Sequence, residues 1–493
     1  MKINWRRQHK WSSLAVCFLL LTMCLSGVVL NHRDLVRDYG VSRVLLPHYR
    51  HSNWNGGLLR GSLPAADSSV IVLLYGTGGI YRLEGDNVTD FNTGLPAAPA
   101  LRAVRAMTAT ADGRIYAVTS DSLYRLTAGH WQAVSLPSDG IGQLSDLTSQ
   151  GDSVVVVGRS GIGLSPSAEA PFNRVVLQAP ADGTSNPTGF RVMWLLHSGK
   201  LFGPVGVAVA DIVAIVLTVL IITGLLIWLL PKAIKKSREN RERLKRLGSA
   251  LKNNIKAHRL IGVYTLVLTM LVCITGFCLR PPLLIPLALS RVPEIPGTTL
   301  ADDNPWNDRL RMLRHDPAMG WLLSTSDGFY CLDSLTSTPK LLPPSNQPPV
   351  SVMGLNVFHP IGDGDWLVGS FNGLYRWSPS TGNVFDATSN ALVDPTVKRP
   401  PFGKSPVAGL LIKPDGLLHP VDYDKGTAAL PQPDALSTVP MPLWNLALET
   451  HTGRLWMGNI ATWIYIPLIS FLLFWCLLSG YKSSRRPKKT PTD

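Results

Sequence analysis

Charge is scarce in this 493-residue chain: Asp, Glu, Lys and Arg make up 16% of it, against about 25% in ordinary soluble domains. Acid is scarcer than base, 33 residues against 47, for a net charge of +14. A charge of that size would suit a nucleic-acid binder, but its distribution excludes one. Three short stretches, the N-terminus with Lys2, Arg6, Arg7 and Lys10, the connector Pro231–Ala257 and the tail after Tyr481, hold 19 of the basic residues and three of the acidic ones. What remains carries a net −2. Cysteine is also sparse. Cys17, Cys24, Cys273, Cys278 and Cys476 fall in apolar runs, which leaves Cys331 alone elsewhere and excludes an internal disulfide there. No Cys-x-x-Cys-His occurs, which excludes covalent c-type haem. No Gly-x-Gly-x-x-Gly occurs, so an electron donor, flavin or quinol, goes unnamed.

Apolar runs are what the chain does have. Trp11–Leu30, Val205–Leu230, Leu260–Leu279 and Ile460–Gly480 are each long enough for a bilayer core, which needs about 20 helical residues. The first, preceded by basic residues, could pass for a signal peptide. Its near-copy beginning at His258 lies mid-chain, where no signal peptide works, so both read as retained helices. Positive charge beside span ends marks the cytoplasmic side. Both termini and the connector are therefore expected inside, and two long inserts outside. The resulting plan is residues 1–31 (N-terminus and first span), 32–197 (first exported insert), 198–230 (second span), 231–257 (basic connector), 258–280 (third span), 281–451 (second exported insert), 452–480 (fourth span) and 481–493 (basic tail).

The spans repeat. His9-Lys-Trp…Leu-Ser-Gly27 matches His258-Arg-Leu…Ile-Thr-Gly276 at the same spacing, and His197-Ser-Gly-Lys-Leu-Phe matches His451-Thr-Gly-Arg-Leu-Trp. The chain thus reads as a tandem duplication of roughly 250 residues per half, each helix, insert, helix. Eighteen residues are five turns at about 3.6 per turn, so His9 and Gly27 share a face, as do His258 and Gly276. Glycine there permits close approach of a helix or a flat cofactor. Polar groups at a membrane edge are costly and usually functional. Across a pseudo-symmetry axis, His9 with His258 and His197 with His451 could each present two imidazoles to one metal. Lys200 and Arg454, three residues beyond the outer histidines, would suit haem propionates, and two imidazoles on one iron suit electron transfer. A single histidine at a membrane edge can simply cap a helix or meet headgroups; repetition in register favours ligation. His32 is the second candidate for the outer site. His48 and His51 resemble a metal pair by spacing alone. His130, His315, His359 and His419 fall where surface or turn roles are expected, and Asp211 has no evident partner.

The inserts carry short β-branched runs with turns. Gly79-Ile-Tyr-Arg-Leu, Ser122-Leu-Tyr-Arg-Leu, Gly328-Phe-Tyr-Cys-Leu and Gly373-Leu-Tyr-Arg-Trp recur, with weaker copies at Val154–Leu164 and Leu410–Leu418. The tyrosines stand 43 residues apart in the first insert and 45 in the second, periods that suit propeller blades. Three units per insert would make six, closed between the halves into one all-β unit; two separate β-sandwich-like domains are the alternative.

The helix segments resemble the PepSY-associated transmembrane family. His197-Ser-Gly-Lys-Leu-Phe-Gly-Pro followed by Ile-Thr-Gly-Leu-Leu-Ile-Trp228 is similar to one of its helices, and the His9 and His258 segments to its other. The resemblance implies a bacterial inner-membrane protein and b-type haem at His9, His197, His258 and His451, two haems in all. That family includes iron-regulated proteins and haem-containing ferric-siderophore reductases. The implied function is electron transfer from a cytoplasmic or membrane donor to a periplasmic acceptor, a ferric siderophore foremost. The expected partners are membrane lipid, that donor and that acceptor, and no nucleic acid. The inserts depart from the family pattern, reading as β-blades. A membrane-anchored β-domain that binds a periplasmic ligand or protein, without catalysis, is the alternative.

Overall fold

The computed structural model describes residues 3–64, 71–181, 186–237, 239–351, 353–394, 403, 405–458 and 461–485. Lys2, Arg238, Ile460 and the tail residues Arg486, Lys488, Lys489 and Asp493, counted above, lie outside the described residues. Two compact units form: one from Met1–Val36, Asn186–Ala301 and Leu443–Asp493, the other from Arg37–Ser185 and Asp302–Pro442.

The first unit is helical, with α1 (Trp5–Asn31), α2 (Gly189–His197), α3 (Gly203–Lys236), α4 (Arg241–Tyr264), α5 (Leu266–Cys278), α6 (Leu443–His451) and α7 (Ala461–Ser484) as its principal elements. Side-chain caps start three of them. Asn4 Oδ1 accepts from Arg7 N at 3.1 Å, Thr188 Oγ1 from Arg191 N at 3.2 Å and Asn240 Oδ1 from Arg243 N at 2.9 Å, satisfying amides that the first turn leaves without partners. Along α1 the buried residues are Ser12, Val16, Leu20, Cys24 and Ser26, two hydroxyls and a thiol among them, while Trp11, Phe18 and Leu25 stand about 60% exposed. That is the reverse of a soluble helix, and it suits a lipid surround with close packing inside. Leu20, Cys24, Val213, Leu217, Cys273 and Leu473 form a shared core among α1, α3, α5 and α7.

Three helices are long and apolar enough to cross a membrane, and α4 with α5 makes a fourth if the bent pair counts as one span. The third span is therefore not the single straight helix expected from its continuous apolar run. It bends by 62° at Thr265. There the Thr265 hydroxyl donates back to Ile261 O at 2.8 Å, the kind of competition with the backbone ladder that bends helices.

The second unit is β. Residues of both inserts share it, and each of its five larger sheets contains a four-strand antiparallel meander in chain order. The first contains Gly61–Pro64, Ile71–Gly76, Gly79–Glu84 and Asn87–Asp90; the second Ala106–Ala109, Ile115–Val118, Leu123–Thr127 and His130–Val134; the third Leu144–Gln150, Ser153–Gly158, Ile162–Ser165 and Asn173–Val175. The fourth contains Leu310–Asp316, Gly320–Thr325, Phe329–Leu332 and Lys340–Leu341, and the fifth Val357–Gly362, Asp365–Ser370, Gly373–Ser378 and Asn383–Asp386. The recurring tyrosines, Tyr81, Tyr124, Tyr330 and Tyr375, all lie on third strands and are buried.

The expected sixth sheet does not form. Val407–Ile412 and Leu418–Asp422 instead join the first sheet, through a parallel bridge between Leu410 and Gly61. A lone hairpin is marginal and leaves open edges; joining four strands from the other insert covers one. Hydrophobic clusters link the first sheet to the second, the second to the third, the third to the fourth and the fourth to the fifth. Another links the fifth to Val407 and Leu410 of the first. The inserts are also joined by charge. Asp146, wholly buried, accepts from Arg314 Nη1 at 2.6 Å and from Leu313 N at 3.0 Å. All six cysteines are free thiols.

Candidate functional site

The four repeated histidines meet in two pairs. His9 on α1 faces His258 on α4 with ring centroids 6.0 Å apart, and His197 at the end of α2 faces His451 at the end of α6 at 6.3 Å. Each ring leans on a helix from the opposite half of the sequence. His9 Nδ1 lies 3.0 Å from Cys476 O on α7, and His258 Nδ1 lies 2.8 Å from Thr223 Oγ1 on α3. His197 Nδ1 lies 3.2 Å from both Val272 O and Thr275 Oγ1 on α5, while His451 Nδ1 lies 3.0 Å from Met23 O and 3.2 Å from Ser26 Oγ on α1.

These contacts fix the tautomer. A carbonyl only accepts, so Nδ1 must donate to it. The hydroxyls accept too, because each spends its own proton elsewhere: Thr223 on Val219 O at 2.7 Å, Thr275 on Leu271 O at 2.8 Å and Ser26 on Thr22 O at 2.6 Å. In every ring Nδ1 is the protonated nitrogen, and the Nε2 lone pair is left for a ligand. Among the described residues Nε2 of these four rings has no hydrogen-bond partner.

Four glycines make room for the rings. An added Cβ would stand 2.9 Å from His197 Cε1 at Gly276, 3.0 Å from His9 Cε1 at Gly480, 3.3 Å from His451 Cε1 at Gly27 and 3.5 Å from His258 Cε1 at Gly224. Each glycine follows a hydroxyl, as Leu25-Ser-Gly27, Ile222-Thr-Gly224, Ile274-Thr-Gly276 and Leu478-Ser-Gly480. Spacing identifies Gly27 and Gly276, though not that each receives a histidine from the other half. Gly480 escapes the spacing argument, and the fourfold hydroxyl-glycine pattern is the signal that finds it.

Each ring pair is spaced much as two imidazoles on one metal would be. A coordinated nitrogen lies about 2.0–2.1 Å from a first-row metal and about 1.1 Å from its ring centre, so two rings in line with one metal have centroids roughly 6.2 Å apart. The observed separations bracket that value. Among the described residues no group of three or more His, Cys, Asp or Glu could hold a metal ion. A planar group bringing its own four equatorial ligands suits such a pair. Along α1, His9 and Gly27 stand about 27 Å apart at 1.5 Å per residue, which sets the two pairs roughly one hydrocarbon core apart.

The remaining candidates fall differently. His32 does not join the outer pair. Its Nε2 bonds Asp211 Oδ2 at 2.6 Å, and Asn31 Nδ2 donates to Asp211 Oδ1 at 3.1 Å, so Asp211 has the partners that its sequence context did not reveal. Arg454 is paired with Glu449, Nε to Oε2 at 2.8 Å with a second Nη2–Oε1 contact. Lys200 Nζ sits 5.5 Å from the centre of the Trp194 ring. Arg280 was missed by sequence reasoning. It lies within electrostatic reach of His451, Arg454 and Glu449. In the β unit, His51 Nδ1 bonds Asn55 O at 2.9 Å.

Apolar helices able to span a bilayer, carrying two facing imidazole pairs with Nε2 unengaged, define a membrane protein with paired-histidine sites. The model of the PepSY-associated TM region matches residues 6–483; the chain belongs to that family. No curated protein matches it. Among solved structures it is similar to one described as the extracellular domain of a hybrid two-component system from B. thetaiotaomicron, at 9% identity and a TM-score of 0.33. The match covers 75% of this chain and 32% of that one. The chain thus spans about a third of that neighbour's length, and a likeness at this score carries no inference.

Proposed function

We propose that this protein carries electrons across a bacterial inner membrane through two b-type haems, one between His9 and His258 and one between His197 and His451, to a ferric siderophore in the periplasm. The observation that carries the proposal is the twofold pairing of imidazoles whose Nδ1 protons are spent on the opposite half's helix. A haem held there supplies a one-electron iron couple that needs no open coordination position. The protein's own part is to fix both rings, keep Nε2 basic and hold the sites in apolar surroundings. The reciprocal contacts also support a duplicated origin, since His9 and His258, and His197 and His451, occupy matching environments. We read the five linked sheets as propeller blades and the basic stretches as cytoplasmic. The acceptor takes one electron per ferric ion, which becomes ferrous and is held less tightly by hard oxygen ligands.

Full-length protein in vesicles with a trapped reductant and an external ferric hydroxamate tests this. Ferrous iron should form faster than in protein-free vesicles, and H258A or H197A should abolish the gain. Rates equal to protein-free vesicles would refute electron transfer and favour an anchored β unit that only binds a ligand.

A further inference from the structure

The outer histidine pair is surrounded by charges that do not balance. Glu449 stands two residues before His451 and Arg454 three after it, and these two are joined to each other. Arg280 lies four residues beyond Gly276, just past the end of α5, and it is against Gly276 that His197 packs. Arg280 is partly buried, and among the described residues its guanidinium donates no hydrogen bond. Two arginines and one glutamate leave one positive charge beside the two imidazoles. A guanidinium has five donors in a planar fork, and withdrawing it from water without a partner is costly. Lys200, three residues after His197, has its ammonium over the Trp194 ring. The first half has no arginine at the matching position. The 249-residue shift that carries His9 onto His258 carries Asn31 onto Arg280, and Asn31 donates to Asp211.

We infer that Arg280 binds the carboxylate substituents of the group held between His197 and His451, with Arg454, locked by Glu449, as flanking support. The assignment rests on the haem reading of the outer pair, where the carboxylates would be the propionates. A carboxylate accepts two parallel bonds from one guanidinium, which fixes the rotation of a planar ligand as well as its affinity. Arg280 would thus set which way the ligand's polar edge faces, a job the histidines cannot do because they grip only the centre.

The test compares haem b with its dimethyl ester, which has the same ring and iron but no carboxylate charge. Both are titrated into full-length apoprotein carrying H258A, so that only the outer pair reports. With Arg280 intact, haem b should bind more tightly than the diester. R280Q should weaken haem b about tenfold or more, the usual consequence of losing a charged hydrogen bond, while leaving the diester unchanged. That unchanged binding also shows that the variant is folded. The outer midpoint potential should fall in R280Q with haem b, because a cation near the iron is lost. Should R280Q not fold, R280K decides: it keeps the charge and loses the fork, so the preference for haem b should shrink without vanishing. An unchanged preference in R280Q or R280K, or equal weakening of both ligands by a folded R280Q, would overturn the assignment of Arg280. Failure of the Arg280-intact protein to bind either ligand would instead remove the haem reading, and the Arg280 assignment with it.

Discussion

Adding one methyl group at Gly276 should disturb the outer histidine pair while barely harming the helix that carries it. Replacing glycine by alanine in a helix ordinarily stabilises by about 1 kcal/mol. Here the new Cβ would lie 2.9 Å from His197 Cε1 and 3.4 Å from its Nδ1. Restoring ordinary contact requires the ring to retreat by roughly 0.5 Å, given van der Waals separations of about 3.5 Å. His197 Nδ1 already lies 3.2 Å from Val272 O and from Thr275 Oγ1, so that retreat takes both bonds beyond useful length. Overpacking costs about 1–3 kcal/mol and a lost hydrogen bond about 0.5–1.5 kcal/mol, which together exceed the propensity gain. The four glycines should grade with distance: G276A and G480A severe, G27A intermediate, G224A nearly silent at its 3.5 Å contact. G248A is the control, since nothing lies within 4 Å of its Cβ. The assay is haem content and reduced spectrum of each purified variant beside its thermal unfolding. Full, unchanged haem in G276A and G480A would refute the tight-seat account, and so would equal losses across all four.

Three further outcomes follow from the same structure. D146A strands Arg314 in the joint between the inserts and should cost about 3–5 kcal/mol, read as a lowered denaturation midpoint with earlier proteolysis in both inserts; an unchanged midpoint would show that the bridge holds nothing. His51 is 4% exposed, and burial, with Arg43 adding repulsion, holds its pKa at about 4 against 6.5 for the free side chain. The unfolded chain therefore takes up a proton that the folded one refuses. Stability is full above pH 6.5 and falls by about 3 kcal/mol as the pH drops towards 4, and H51N should flatten that slope in an unfolding series across the window. Reporter fusions should place the Pro231–Ala257 connector on the cytoplasmic side and both inserts outside; a periplasm-only reporter active within the connector would invert the topology.

The histidine pairing was legible because residue identity recurs in register, and recurrence needs no knowledge of packing. What each ring leans on was not legible, since the exchange of support between halves arises only when α1 meets α6 and α7, and when α3 and α5 meet the other pair. Asp211 looked solitary because its partners, Asn31 and His32, lie about 180 residues away. Arg280 went unnoticed because an arginine ending an apolar run looks like an ordinary membrane-edge residue. The bend at Thr265 hides in a run whose hydropathy never breaks. The tyrosine phrases marked real strands, but six units were expected where five larger sheets form. Periodicity counts hairpins, whereas sheet membership depends on which open edge a hairpin can cover, and Val407–Asp422 finds its edge at Gly61, nearly 350 residues earlier.

The most direct test of the central claim is the absorption and low-temperature electron paramagnetic resonance of purified full-length protein, with haem counted per chain. The account predicts two low-spin, six-coordinate haems per chain, each with two imidazole ligands, one lost in H258A and the other in H197A. A protein without haem, or one whose haem is high-spin and survives replacement of all four histidines, would contradict it.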